Sequence, residues 1–200
     1  MKLYELEIQL GEKQELTPEL SETYIALIKR DCSEALAAMK ATGRFLYRGV
    51  PGATLRAFKG ASRENRRPLS TKAHFQVLID EMLSHYGFKA LRSNSIYCTS
   101  AYEEAQYYEK GSGHLYMIFP INGFDYTWSR YSGDLYAMMG SSDYQTLNNR
   151  DFESFQEKFQ FTNKYLNDAL TAGHEVMVHG QYYAFSNLIY GYNFDKELLE

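Results

Sequence analysis

From Arg44 onward the apolar residues come in short runs broken by glycines, an Asn-Gly pair and helix-favouring stretches, and this punctuation restricts the fold more than any bulk property. RFLYRGVPG (44 to 52) predicts a strand closing in a turn, with Arg48 at its last position. Residues 53 to 69 read as a loop, and Ser70 or Thr71 caps a helix with an apolar face of Phe75, Leu78, Ile79 and Met82, closing at Gly87. SNSIYCTS (93 to 100) reads as a strand, and AYEEAQYYEK as a helix that Gly111 ends. HLYMIFPI (114 to 121) and FDYTW (124 to 128) read as paired strands joined by the hairpin signal Asn122-Gly123. Residues 150 to 170 look helical, HEVMVHGQYYAF (174 to 185) gives two strands around Gly180, and the tail beyond Asn187 has no assignment.

The first 43 residues differ. Leu3, Tyr4, Leu6, Ile8 and Leu10 open the chain, Thr17-Pro18 marks a helix start, and Tyr24, Ile25, Leu27, Ile28, Ala35, Leu36 and Met39 continue at helical spacing to Gly43, giving one or two helices. The expected fold is therefore α+β with mixed or antiparallel sheets, in one domain over 1–200: a mainly helical lead-in (1–43) and a core (44–187). Without regular βαβ alternation, a doubly wound sheet is disfavoured.

Charge and cysteines narrow the function classes. A net charge of -4 and a pI near 5.8 argue against a nucleic-acid coat or a polybasic membrane anchor. Cys32 and Cys98 belong to no metal-ligand pattern, and His74, His85, His114, His174 and His179 are too dispersed to argue for a metal. No stretch approaches the roughly 20 apolar residues of a membrane span, and no signal-peptide run opens the chain, so the expectation is a cytoplasmic protein without a membrane partner. Eighteen tyrosines supply rings with polar tips, most of them for the edges of core strands and a few for a ligand cleft.

Three segments put polar residues at strand ends or turns, where binding groups on a rigid scaffold tend to lie: LYRGV, IYCTSAYEEAQYY and HEVMV. Their text, Tyr47-Arg48-Gly49, Cys98-Thr99-Ser100 and Glu175-Val176-Met177-Val178, resembles in content and order the motifs of the R-S-E class of ADP-ribosyltransferases. In size and in the Arg-Gly-Val-Pro run the chain is similar to bacteriophage transferases that modify host RNA polymerase. The middle segment also looks like a strand and helix of poly(ADP-ribose) polymerases, with Arg48 where those have histidine. The three motifs cover under a tenth of the chain.

The resemblance implies an ADP-ribosyltransferase-like fold with sheets around an NAD⁺ cleft, and transfer of ADP-ribose from NAD⁺, with no metal, to a protein or nucleic acid, in the host cytoplasm if the protein is phage-encoded. Arg48 becomes the anchor for phosphate and ribose oxygens, to which a guanidinium fork is well matched; the alternative is an edge-strand arginine in a surface ion pair. Gly49 would let backbone groups approach the nicotinamide amide. Glu175 would stabilise positive charge developing on the ribose; the alternative is an exposed strand charge. Tyr97, Cys98, Thr99 and Ser100 would shape the nicotinamide pocket, with the hydroxyls of Thr99 and Ser100 also orienting Glu175 for catalysis, and among Tyr102, Tyr107 and Tyr108 the last is chosen to stack on the ring. Cys98 stands where the family has its first serine, and a thiol is the weaker donor. Gly173 stands where arginine-modifying members have Glu or Gln, which leaves the acceptor open. Arg63, Arg66 and Arg67 offer phosphate contacts to NAD⁺ or a nucleic acid, or else a solvated loop with Glu64. NAD⁺ glycohydrolysis and an inactive interaction protein on the same fold are the competing readings.

Overall fold

The computed structural model describes residues 18–53, 56–66, 73–109, 114–134, 140–186 and 194–200. Helices α1 (Pro18–Asp31) and α2 (Ser33–Thr42) form the lead-in, as the spacing predicts. Their buried residues, Tyr24, Ile25 and Ile28 on α1 and Ala35, Leu36 and Met39 on α2, recur at i, i+1 and i+4, one stripe on each helix. The expected Leu3–Leu10 alternation, the caps at Thr17, Ser70 and Thr71, and the stop at Gly111 lie outside the described residues.

After the helices come β1 (Leu46–Val50), β2 (Ala57–Ala61), α3 (Ala73–His85), β3 (Ile96–Cys98), α4 (Tyr102–Tyr107), β4 (His114–Pro120) and β5 (Asp125–Ser129). They are followed by α5 (Ser141–Asn148), α6 (Phe152–Phe159), β6 (Phe161–Thr162), α7 (Leu166–Ala172), β7 (Val176–His179), β8 (Gln181–Ser186) and α8 (Phe194–Leu199). The strands form two four-stranded sheets, β1-β4-β8-β2 and β3-β7-β5-β6, and every pairing is antiparallel. The α+β class with antiparallel sheets is therefore observed.

The sheets meet at one seam. Tyr47 N–H donates to the Thr99 carbonyl at 2.6 Å and Thr99 N–H returns to the Tyr47 carbonyl at 2.9 Å, an isolated antiparallel bridge between the first strand of each sheet. The second sheet separates two apolar clusters. Val176 and Val178 point into the one that α1, α2 and the first sheet build, whereas Met177 points into the one built around α3, α5 and α6. A strand covered on both faces has no polar face to keep, which is why Val176-Met177-Val178 reads as a continuous apolar run.

Several expectations are corrected. Arg48 is the third of five strand residues, since pairing with β4 continues through Gly49 and Val50. Residues 53 to 69 include strand β2, hidden in the sequence by Lys59 and Gly60; a Cβ on Gly60 would stand 2.7 Å from the Tyr182 ring. The Asn122-Gly123 pair makes no hairpin, because β4 and β5 belong to different sheets. Asn122 instead ties the crossing to the helical layer: its N–H donates to the Asp31 carbonyl (2.7 Å) and its side-chain oxygen accepts Glu34 N–H (3.0 Å). The stretch 150 to 170 is no single helix. Gln160 and Tyr165 adopt φ +50 and +60, and between them Phe161 pairs with Ser129. Helix α5 has no counterpart in the sequence reading.

Candidate functional site

Glu175 follows a helix end that is held by side chains. The last carbonyls of a helix lack intrahelical partners, and here Arg44 Nη1 donates to Leu170 O (3.2 Å) and Thr171 O (2.9 Å), while Ser100 Oγ donates to Leu170 O (2.5 Å). Thr99 Oγ1 donates to Gly173 O at 2.7 Å and accepts Ala101 N–H at 3.0 Å. Gly173 takes φ +74, a left-handed cap in which a side chain is disfavoured, so the backbone itself accounts for glycine two positions before Glu175. Glu175 N–H then donates to Gly133 O at 2.8 Å, and Cys98 pairs with Val176 across the strands, which sets Glu175 beside the end of β3.

Arg48 comes from the other side of the seam. Its Nη1 donates to the Tyr97 carbonyl at 3.1 Å. Two further guanidiniums lie over the Tyr97 ring, Arg66 at 4.3 Å and Arg92 at 5.0 Å from its centroid, a favourable placement of cations on a π face. Arg92 Nη1 stands 3.6 Å from Glu175 Oε1. Arg92 is held by its backbone, since Asp80 Oδ1 accepts Arg92 N–H (2.7 Å) and Asp80 Oδ2 accepts Ser93 N–H (3.2 Å).

The result is a concave charged centre with one glutamate among three arginines. The Glu175 side chain keeps 29% of its surface accessible but lies enclosed by protein on its other sides. Burial pushes its carboxyl above the ordinary carboxylate range, against the pull of Arg92; Asp134 adds to the rise, and Arg66 and Arg48 oppose it. Burial also pushes the Cys98 thiol up to about 12. Cys98 is 2% exposed and remains a thiol at neutral pH, which removes it as a nucleophile.

The structure brings Arg48, Tyr97, Cys98, Thr99 and Glu175 to one place, but it alters several roles. Gly49 faces protein: a Cβ there would collide with the Ala105 carbonyl oxygen and lie 2.7 Å from Glu109 N, so its bareness lets helix α4 rest on β1. Thr99 and Ser100 hold the α7 end by their hydroxyls and act on Glu175 through its backbone. Tyr108 is half exposed, and Glu175 and Asp134 are among the groups raising its pKa after burial, which places it at the rim. Of the arginine cluster, Arg66 joins the centre, Arg63 is exposed, and Arg67 lies outside the described residues.

Sequence reasoning missed Arg92, Trp128, Ser132 and Asp134. Arg92, Trp128 and Ser132 line one recess with Glu175, and Asp134 acts on its charge. Trp128 lies on β5 within the run read as a strand, but Thr127 and Ser129 on either side are buried too, so no alternation marks it; Arg92, Ser132 and Asp134 sit in loops with no pattern to read. His174 is tied back, its Nδ1 donating to the Ser129 carbonyl at 2.9 Å, because a carbonyl can only accept. Among the described residues no three His, Cys, Asp or Glu side chains gather as metal ligands, and no helix is long and apolar enough to cross a membrane. No family model, no curated protein and no solved structure matches this chain.

Proposed function

We propose that the chain is an ADP-ribosyltransferase that cleaves NAD⁺ at the nicotinamide–ribose bond and passes ADP-ribose to a macromolecular acceptor. The observation that carries this reading is the meeting, across the seam, of Arg48 from one sheet and Glu175, the residue just ahead of β7, from the other, with Arg66 and Arg92 beside them. The R-S-E resemblance and the two antiparallel sheets point the same way.

In this reading the guanidiniums bind the diphosphate, to which planar charged donors are suited. Glu175 faces the ribose carbon. As the C–N bond breaks, its electron pair leaves with the nicotinamide nitrogen, positive charge grows on the ribose, and a carboxylate in an enclosed site stabilises that charge more than it stabilises the ground state. The acceptor then bonds to the same carbon and gives up its proton. Gly173 offers no side chain to address an acceptor, which favours water as a second possibility and makes NAD⁺ glycohydrolysis the competing activity.

The test is nicotinamide release, followed with label transfer from biotinylated NAD⁺ in lysate. Wild type releases nicotinamide and labels a target that either protease or nuclease removes, and Glu175→Gln does neither. Release without label in any macromolecule assigns the glycohydrolase; equal release by wild type and Glu175→Gln overturns both.

A further inference from the structure

Ser132 is 2% exposed, and its hydroxyl has no hydrogen-bond partner among the described residues. It lines the same recess as Glu175 and Arg92, closed by Trp128, Phe161 and Met177. Leaving a buried hydroxyl unsatisfied is costly, so such a group calls for an explanation in terms of what it serves. Its position is built from both sides: Ser132 N–H donates to Ser129 Oγ at 3.0 Å, and the next residue, Gly133, accepts Glu175 N–H at 2.8 Å. The recess has room for about one water molecule, and Ser132 Oγ, Glu175 and Arg92 provide the polar partners such a molecule needs.

Three other hydroxyls near Glu175 are engaged. Thr99 and Ser100 donate to Gly173 O and Leu170 O, and Ser129 Oγ donates to Phe159 O while accepting the N–H groups of Tyr131 and Ser132. Cys98 brings only a buried thiol.

We propose that Ser132 is a positioning residue for Glu175: through one enclosed water its hydroxyl hydrogen-bonds the carboxylate, holding it oriented and ionised. The proposal rests on the part given to Glu175 above. A hydrogen bond to the charged form favours that form, so losing Ser132 raises the pH at which Glu175 ionises. The charged groups acting on this carboxylate are Arg92, Arg66, Arg48 and Asp134, and Tyr97, Tyr108 and Cys98 are the neutral titratable groups near it.

The experiment compares wild type, Ser132→Ala and the near-isosteric Ser132→Cys. Glu175 is titrated by carboxyl ¹³C NMR, assigned with Glu175→Gln, and nicotinamide release is measured against pH. In Ser132→Ala the Glu175 titration and the acid limb of kcat move up together by about half a pH unit or more. At neutral pH kcat falls about tenfold with KM nearly unchanged. Ser132→Cys, which keeps a weak donor, lies between. An unshifted Glu175 titration in a natively melting Ser132→Ala overturns the proposal, and an unshifted Ser132→Cys overturns it if the alanine variant does not fold. The NMR titration decides even if the wild type releases no nicotinamide, an outcome that would sink the functional reading by itself.

Discussion

Two arginine–carboxylate pairs in this molecule have opposite electrostatic outcomes. At the end of α1, Arg30 and Asp31 meet through two bonds, Nε to Oδ1 at 2.6 Å and Nη2 to Oδ2 at 2.8 Å, with the arginine 68% exposed. Tyr183 adds its hydroxyl to Asp31 Oδ2 at 2.8 Å. At the seam Arg92 and Glu175 stand 3.6 Å apart, the arginine only 9% exposed. The hydrogen bond from Arg30 holds the Asp31 carboxyl below the ordinary range, and burial lifts that of Glu175 above it. Opposite charge nearby does not decide the shift; what decides it is whether good hydrogen bonds outweigh lost solvation. The first pair ties a helix end to the first sheet. The second holds a carboxylate whose burial favours the neutral form, a kind of perturbation that concentrates at binding and catalytic sites.

Three substitutions, one of them measured in two ways, would break or sharpen this contrast. The largest expected effect is on turnover: Glu175→Gln keeps the shape of the side chain, loses the charge, and lowers nicotinamide release by on the order of 10³-fold while NAD⁺ binding measured by calorimetry persists. Next, Arg92→Met removes the cation that compensates Glu175 and lowers unfolding free energy by about 2 kcal/mol at pH 7, discounted because Glu175 is open on one side. Urea titration at pH 7 and at pH 4 checks it, since the loss shrinks where Glu175 is protonated.

The two carboxylates should then move stability in opposite directions. The folded pKa of Glu175 is raised, so its ionisation costs stability, beginning near the ordinary value of 4.5 and complete above the raised one. Glu175→Gln removes that cost and raises the melting temperature at pH 7 by about 2 °C, with no gain at pH 4. The folded pKa of Asp31 is depressed, so its contribution is present above the ordinary value of 3.8 and fades as pH falls through the folded value. Asp31→Asn therefore lowers melting at pH 7 by about 1 °C and leaves nicotinamide release unchanged. Scanning calorimetry showing the same sign for both variants would refute the contrast.

The unequal legibility of the two sides has a physical origin. Tyr47-Arg48-Gly49 and Glu175-Val176-Met177-Val178 lie on strands whose local apolar pattern announces them, and the helical lead-in is announced by its period. Arg92 owes its place to Asp80 on α3, and Ser132 reaches the site through the next residue, Gly133, whose carbonyl accepts Glu175 N–H; neither tie is written in the local pattern. Asn122-Gly123 carries a true turn signal, but whether the flanking strands pair with each other depends on the sheet topology. In the sequence Gly49 and Gly173 suggest positions facing a ligand or an acceptor, whereas a neighbouring helix and a left-handed cap require them.

The Tyr47–Thr99 bridge makes the charged centre intolerant of insertions. Side chains alternate along a strand, so one extra residue placed inside β1 ahead of Arg48, with the pairing before it kept, would shift Arg48 by one register position, turn the guanidinium to the opposite face and leave Glu175 behind. Surface connections can therefore lengthen without moving the charged centre, while β1 and the stretch from Ile96 to Ser100 must keep their length residue for residue.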